Sequence, residues 1–206
     1  MSTTPSFFYF DLGNVLLLLD REKAARQIAG VAGVSPERVR EVLFDGLAEP
    51  YERGEMDSRQ FYDVFCEQIG TRPDYDALKL AASDMFALNI RMIPLVSALQ
   101  RVGLRLGLLS NTNEMHWRYI GTRYKVISSV FERFALSFEI GAIKPEREIY
   151  TAASEIADVA PEEIFFTDDQ PELVEAAREA GFDAVEFTGP AALSDELRKR
   201  GVRFNY

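Results

Sequence analysis

Hydrophobic positions along the chain fall into two regimes. The first opens on Phe7-Phe-Tyr-Phe10, four consecutive aromatics with no charge among them. Bulk at every position, without alternation, predicts a short strand covered on both faces, as in the middle of a parallel sheet. From Val15 to about Leu88 the spacing turns helical. Arg21 to Val31 is Ala-rich with helical periodicity, and Ser35-Pro36-Glu37 reads as a helix start, Ser35 capping and Pro36 first in the helix. Asp57 to Gln60 has capping-box spacing, after which Phe61, Val64, Phe65 and Ile69 mark one apolar face. Asp74 to Phe86 supplies another helix. Nothing here alternates with period two, so the stretch predicts one helical block of roughly 70 residues.

In the second regime, helical segments and short apolar runs take turns. Ile93 to Val102 reads as a helix ended by Gly103, and Leu104 to Leu109 as the second strand. A helix around Glu114 to Tyr124 leads to a third strand around Phe134 to Phe138. Pro145 is expected to open a helix reaching about Ala157, and Ile164 to Thr167 forms the fourth strand. Pro171 to Ala180 is a helix closed by Gly181, Asp183 to Phe187 a fifth strand, and Asp195 to Lys199 a last short helix. Such alternation implies right-handed crossovers. The expected fold is α/β: a Rossmann-like parallel sheet with a helical block inserted after the first strand.

Composition narrows the choices. Hydrophobic residues at 47% and aromatics at 12% supply a packed core and exclude disorder. A net charge of −10 argues against a nucleic-acid binder, which needs clustered Lys and Arg. Small phosphorylated ligands stay open, because one lysine and one metal ion reverse the field of a cleft. Cys66 is the sole cysteine, so no internal disulfide forms and a reducing, cytoplasmic setting is expected. Val15 to Leu19 is too short an apolar run to span a membrane, and no basic leader precedes it. Neither membrane nor nucleic acid is therefore expected as a partner. Oligomeric state is not legible in these patterns.

The chemistry lies where the strands end. The first stops at Asp11, the second at Ser110-Asn-Thr-Asn113, and the fourth at Asp168-Asp169, while Lys144-Pro145 follows the third. In a parallel sheet these points share one edge, the edge where ligands bind. Three carboxylates suit a hard cation such as Mg²⁺. The Ser110 hydroxyl with nearby backbone N–H groups suits phosphate oxygens, and Lys144 adds a point charge.

Each feature has a plainer reading. Asp11 fits a turn, Ser110 to Asn113 a helix cap, Lys144 a solvated loop, and Asp168-Asp169 a helix start. As a loop lysine, Lys144 is expected to matter for phosphate handling far more than for folding. His116, the only histidine, is expected on a helix surface, Trp117 in packing, and Cys66 as a small hydrophobe. Glu52, Glu55 and Asp57 around Gly54 read as a solvated acidic turn. What outweighs the plain readings is four motifs in one order.

That ordered set resembles the haloacid dehalogenase superfamily, which consists mostly of Mg²⁺-dependent phosphatases. The helical block is similar to the family's small cap, giving an expected core of residues 1–18 and 89–206 and a cap of 19–88. The resemblance implies that Asp11 is the nucleophile, forming an aspartyl-phosphate with Ser110 and Lys144 as catalytic partners. Ser110, Asn111 and Lys144 would bind the phosphate. Mg²⁺ would be held by Asp11, the backbone carbonyl of Gly13 and chiefly Asp169, with Asp168 beside the ion or as an alternate ligand. More narrowly, the stretches Asp11–Val15, Leu109–Asn113, Lys144–Glu146 and Phe165–Asp169 resemble the subgroup containing bacterial α-glucose-1-phosphatases. The implied substrate is a small phosphorylated metabolite, a sugar phosphate among the options. One position departs: where the family's phosphatases carry a second Asp as general acid and base, this chain has Gly13. Two alternatives share the fold, a metal-free haloacid dehalogenase and a non-catalytic phosphate-binding regulator. The acidic pair argues against the first, and only Gly13 favours the second.

Overall fold

A computed structural model describes residues 4–206. It runs β1 (Phe7–Phe10), β2 (Leu17–Leu19), α1 (Arg21–Ala32), α2 (Pro36–Val42), α3 (Ala48–Glu52), α4 (Ser58–Ile69), α5 (Tyr75–Ser83) and β3 (Phe86–Leu88). Next come α6 (Ile93–Arg101), β4 (Arg105–Ser110), α7 (Glu114–Arg123), α8 (Lys125–Val130), β5 (Arg133–Leu136) and α9 (Ser137–Ile140). The chain closes with α10 (Arg147–Ala157), β6 (Ile164–Asp168), α11 (Pro171–Glu179), β7 (Asp183–Glu186) and α12 (Pro190–Lys199).

The aromatic run makes the central strand. β1 lies between β4 and β6, parallel to both, in a five-stranded sheet of order β5-β4-β1-β6-β7. All four of its side chains are fully buried. Alternate residues of a strand point to opposite faces, and here both faces are covered. Phe8 and Phe10 join a cluster with Leu95, Leu99, Ile120 and Leu197, from α6, α7 and α12. Phe7 and Tyr9 join another with Ile149, Ala153, Val174 and Ala177, from α10 and α11. The Tyr9 hydroxyl donates to the Ala153 carbonyl at 2.9 Å, so its one polar atom is satisfied. Burying each such side chain stabilises the fold by about 1.5–3 kcal/mol. Gly107 sits opposite Tyr9 for lack of room: a Cβ there would lie 2.6 Å from the Tyr9 ring and 2.7 Å from Phe7.

Helices α1 to α5 form the insertion. Their caps are those expected: Ser35 accepts from the Arg38 N–H at the start of α2, and Asp57 with Gln60 closes a capping box on α4. The unbroken helical block is a correction, however. β2 and β3 pair antiparallel, Leu17 opposite Leu88 and Leu19 opposite Phe86, as a two-stranded ribbon at the insertion's base. α5 accordingly ends at Ser83, short of the predicted Phe86. Three-residue strands offer too few positions to reveal period two.

Smaller corrections follow the same logic. Leu43–Leu47 is π-helical and runs straight into α3, a local unwinding that apolar spacing does not announce. Phe138 belongs to the short helix α9, not to β5. Pro145 does not open α10; the Lys144–Pro145 peptide is cis, and the helix starts at Arg147 with Glu146 at its N-cap. The last helix begins at Pro190, earlier than Asp195. Among the described residues no helix is long and apolar enough to cross a membrane.

Candidate active site at the carboxyl edge of the sheet

Asp11 follows the last residue of β1, and its N–H donates to the Thr167 carbonyl at 2.9 Å, continuing the pairing with β6. Its carboxylate is buried, which is costly unless a partner is supplied. That partner is Lys144. Its ammonium donates to Asp11 Oδ1 at 2.7 Å, to Asp168 Oδ2 at 2.5 Å and to the Leu109 carbonyl at 3.2 Å. Lys144 is only 3% exposed, so the solvated-loop reading is wrong. Asn111 braces it: the side chain accepts from the Lys144 N–H at 2.8 Å and donates to the Lys144 carbonyl at 3.0 Å. The Asn111 amide, expected at the phosphate, is thus engaged with the lysine's backbone.

The acidic pair splits. Asp168 is the last residue of β6 and fully buried, with Oδ2 on Lys144 and Oδ1 accepting from the Gln170 N–H at 3.0 Å. Asp169 points out of the strand, and its Oδ2 accepts from Asn14 Nδ2 at 2.9 Å. Asn14 reaches it from a left-handed backbone, φ 52°, a conformation that Asn tolerates better than most residues. One carboxylate oxygen from each of Asp11, Asp168 and Asp169 lies within 4.8 Å of the others.

Gly13 closes the loop beneath them. Its carbonyl accepts from the Val15 N–H at 2.6 Å. Its backbone is outside the left-handed region, so glycine is not required there by φ. A Cβ would meet the Leu19 Cδ1 tip at 2.7 Å and Asp11 Oδ2 at 3.6 Å. Ser110, also buried, ends β4, and Asn113 caps α7 through the His116 N–H at 3.0 Å. In this loop the capping role and the place beside Asp11 coexist.

Charge in the cluster is unbalanced. Burial pushes the Asp11 carboxyl up toward about 6; Lys144 pulls against that, while Asp168 pushes further up. Burial alone would lower Lys144, but Asp11 and Asp168 outweigh it and hold its proton more firmly than usual. Three carboxylates facing one ammonium leave two negative charges, the charge of one divalent cation. The donors are all oxygen, as a hard cation requires. The residues fit the ion.

Above this edge lies a cavity of about 910 Å³, lined by Asp11, Gly13, Ser110, Lys144 and Asp169 below and by Arg21, Phe44, Tyr51 and Glu52 of the insertion. The reach of Arg21, Phe44 and Tyr51 into it has no signal in apolar periodicity. Glu55 instead pairs with Arg53 at 3.3 Å and Asp57 caps α4, so of the acidic turn only Glu52 enters the cavity.

His116 is a second correction. It is no surface residue: Nε2–H donates to the Ala82 carbonyl at 3.2 Å, Nδ1 accepts from Asn113 Nδ2 at 3.0 Å, and the ring stands edge-on to Phe86. Burial holds its pKa down at about 4, so it is neutral. Trp117 packs on Phe134 and Cys66 is buried, both as expected.

A family model described as haloacid dehalogenase-like hydrolase matches residues 8–181. A D-ribitol-5-phosphate phosphatase of Bacteroides thetaiotaomicron is 25% identical over 196 residues, covering 91% of this chain and 94% of its own. Among solved structures, a HAD family enzyme of the same organism, in complex with magnesium and inorganic phosphate, superposes with a TM-score of 0.80 at 27% identity. It covers 90% of this chain and 95% of its own. The L-2-haloacid dehalogenase of Xanthobacter autotrophicus shares the fold alone, with TM-score 0.65 at 17% identity, over 95% of this chain and 83% of its own.

Proposed function

This chain belongs to the haloacid dehalogenase-like hydrolases, and within that family we propose that it is a Mg²⁺-dependent phosphatase working through an aspartyl-phosphate on Asp11. One observation carries the reading. A buried lysine grips one oxygen of Asp11 and one of Asp168, while a third carboxylate, Asp169, stands within metal-sharing distance. Lys144 holds Oδ1, which leaves the other oxygen, Oδ2, to attack phosphorus. Ser110 and the backbone of its loop take phosphate oxygens.

Asp11, the Gly13 carbonyl and Asp169 would hold Mg²⁺, which supplies charge to offset that developing on the transferring phosphoryl group. Asp168, with both oxygens engaged, fits a positioning role better than direct ligation. Asn14 orients Asp169 in the same sense. A dehalogenase has no need of the two surplus negative charges that a divalent ion would balance.

The substrate is a small phosphorylated metabolite. A relative acting on D-ribitol 5-phosphate supports open-chain polyol phosphates beside sugar phosphates, so α-glucose 1-phosphate becomes one member of a panel. The base ribbon supports a core of 1–18 and 89–206 with a cap of 19–88, and the lone buried Cys66 supports a cytoplasmic setting.

A phosphate-release panel with Mg²⁺, repeated in excess chelator and with Asp11→Asn and Asp169→Asn, tests the proposal. Activity is expected to vanish in all three. Full turnover in chelator would remove the metal, and undiminished turnover by Asp11→Asn would remove the nucleophile.

A further inference from the structure

Gly13 has no side chain to carry a proton, so a group doing that work is sought elsewhere in the cavity lining. Most of the titratable side chains there are otherwise engaged. Asp20 accepts the Lys23 N–H that starts α1, Glu22 pairs with Arg40, and Glu49 pairs with Arg53. Lys144 donates all three of its protons. His116 has both ring nitrogens bonded, and Glu172 stands exposed in the first turn of α11. Glu52 differs. It lines the cavity, is partly buried, and its carboxylate has no hydrogen-bond partner among the described residues.

Its place is also fixed, because four consecutive residues fasten to the core. The Tyr51 hydroxyl accepts from the Met115 N–H at 3.2 Å and bonds Ser58 Oγ, which in turn donates to Glu114. The Glu52 carbonyl accepts from the buried Ser137 hydroxyl, which also bonds Thr112 of the phosphate-side loop. Arg53 clasps both oxygens of Glu146 at 2.7 Å, two residues from Lys144. Gly54, at φ 77°, lies so close to Phe138 that a Cβ would stand 2.2 Å from its carbonyl oxygen. A carboxylate on a flexible turn would say little; this one is held in the wall of the cavity that Asp11 also lines.

We propose that Glu52 is the general acid and base of the site, supplied by the insertion in place of the side chain that Gly13 lacks. The inference rests on the phosphatase reading. Asp11 Oδ2 attacks phosphorus, and the bond to the leaving oxygen breaks with its electron pair on that oxygen, which takes the Glu52 proton. Water then attacks the aspartyl-phosphate and yields its proton to the Glu52 carboxylate. The Asp11–phosphorus bond breaks, its electrons return to Asp11, and inorganic phosphate leaves with Glu52 reprotonated. Burial raises the Glu52 pKa; of the charges facing it, Arg21 and Lys144 lower it while Glu49 and Asp11 raise it. The acid form therefore persists to higher pH than in an exposed glutamate, as protonating an alkoxide requires.

The test compares native protein with Glu52→Gln on p-nitrophenyl phosphate and on the best alkyl phosphate of the panel, with Mg²⁺. On the alkyl ester kcat should fall about 10²–10³-fold with KM within a few fold, and the high-pH limb of the native profile should disappear. The aryl ester needs little protonation, so its first turnover should survive and a burst of nitrophenol should precede a slow steady state. Gly13→Asp in the Glu52→Gln background should restore part of the alkyl activity, because the backbone there is not left-handed and the new Cβ is crowded only by the movable Leu19 tip. Magnesium-dependent binding of inorganic phosphate, measured by calorimetry, should be alike in the native protein and Glu52→Gln. Alkyl turnover within threefold of native with an unchanged pH profile would overturn the proposal. So would a rise in KM alone, which marks a substrate contact, or an aryl burst lost in step with alkyl turnover, which marks a structural role. A native protein inactive on every phosphate would end the phosphatase reading itself, and this one with it.

Discussion

The two sides of the cavity handle charge in opposite ways. Below, Lys144, Asp11 and Asp168 are locked together almost without solvent. Above, the outer ion pairs of the insertion, Arg38–Glu41 and Arg40–Glu22, stand in water with side chains 35–68% exposed. Breaking a buried pair strands an uncompensated charge and costs about 3–5 kcal/mol, whereas an exposed pair is worth about 0–1 kcal/mol. On the core side, then, the residues proposed to do the chemistry also hold the fold. On the insertion side the two duties separate: surface pairs do little, and one short turn, residues 51–54, sets the geometry.

The largest test of that contrast is Lys144→Ala. It leaves Asp11 and Asp168 facing each other unpaired, so urea unfolding should show a loss of about 3–5 kcal/mol alongside lost activity. This replaces the expectation of a mild folding effect, which assumed a solvated lysine. A loss below about 1 kcal/mol would mean the core edge behaves like the surface above it.

Gly54→Ala comes next. A left-handed backbone and a Cβ inside the Phe138 carbonyl's contact distance should cost roughly 1–3 kcal/mol. Turnover of an alkyl phosphate should fall further than stability does, because Glu52 moves with the turn. Arg38→Ala, on an exposed pair, should change neither the unfolding curve nor the kinetics. Equal effects from the two variants would erase the distinction between turn and surface.

His116 sharpens the comparison at the seam, bonded as it is to Ala82 and packed on Phe86 of the insertion from its own place on α7. Its pKa is depressed to about 4 in the fold against an ordinary value near 6.5. A base depressed in this way takes its proton more readily when unfolded. Stability is therefore full above pH 6.5 and lost as pH falls toward 4. Partial exposure limits the effect to about 1–2 kcal/mol. Urea midpoints between pH 7.5 and 4.5 should fall less steeply in His116→Gln than in the native protein.

What the sequence disclosed follows the same division. β1 was legible because four uncharged aromatics in a row call for cover on both faces, and the gathering of Asp11, Ser110, Lys144 and Asp168-Asp169 because parallel strands end along one edge. Local caps at Ser35 and Asp57 were legible because capping is decided within four residues. The rest depends on docking. The β2–β3 ribbon is too short to show a period, Lys144 is buried only by elements from three parts of the chain, and His116 is covered by a helix 34 residues earlier. Glu52 was visible as one of three acids around a glycine; nothing local separates it from Glu55 and Asp57. Docking of Tyr51, Arg53 and Gly54 on the core selects it.

The smallest effect expected lies at Asp84, where α5 ends and the insertion meets α7 away from the turn. Its Oδ2 accepts from Lys23 Nζ at 2.9 Å and Gln27 Nε2 at 3.3 Å, and its Oδ1 from the Tyr119 hydroxyl at 2.7 Å. Those hydrogen bonds, Lys23 first, hold the carboxyl down to about 2. A carboxyl lowered on folding adds stability above its unfolded pKa, and that stability is lost as pH falls from near 4 to about 2. With the side chain 38% exposed, screening reduces the gain to less than about 1 kcal/mol. Asp84→Asn should thus lower the urea midpoint slightly at pH 7 and not at all near pH 2. In 1 M salt the difference should shrink, since screening acts within about 3 Å. A loss that rivals Lys144→Ala, or one indifferent to salt, would show that the insertion is fastened to the core by buried charge as well as by its turn.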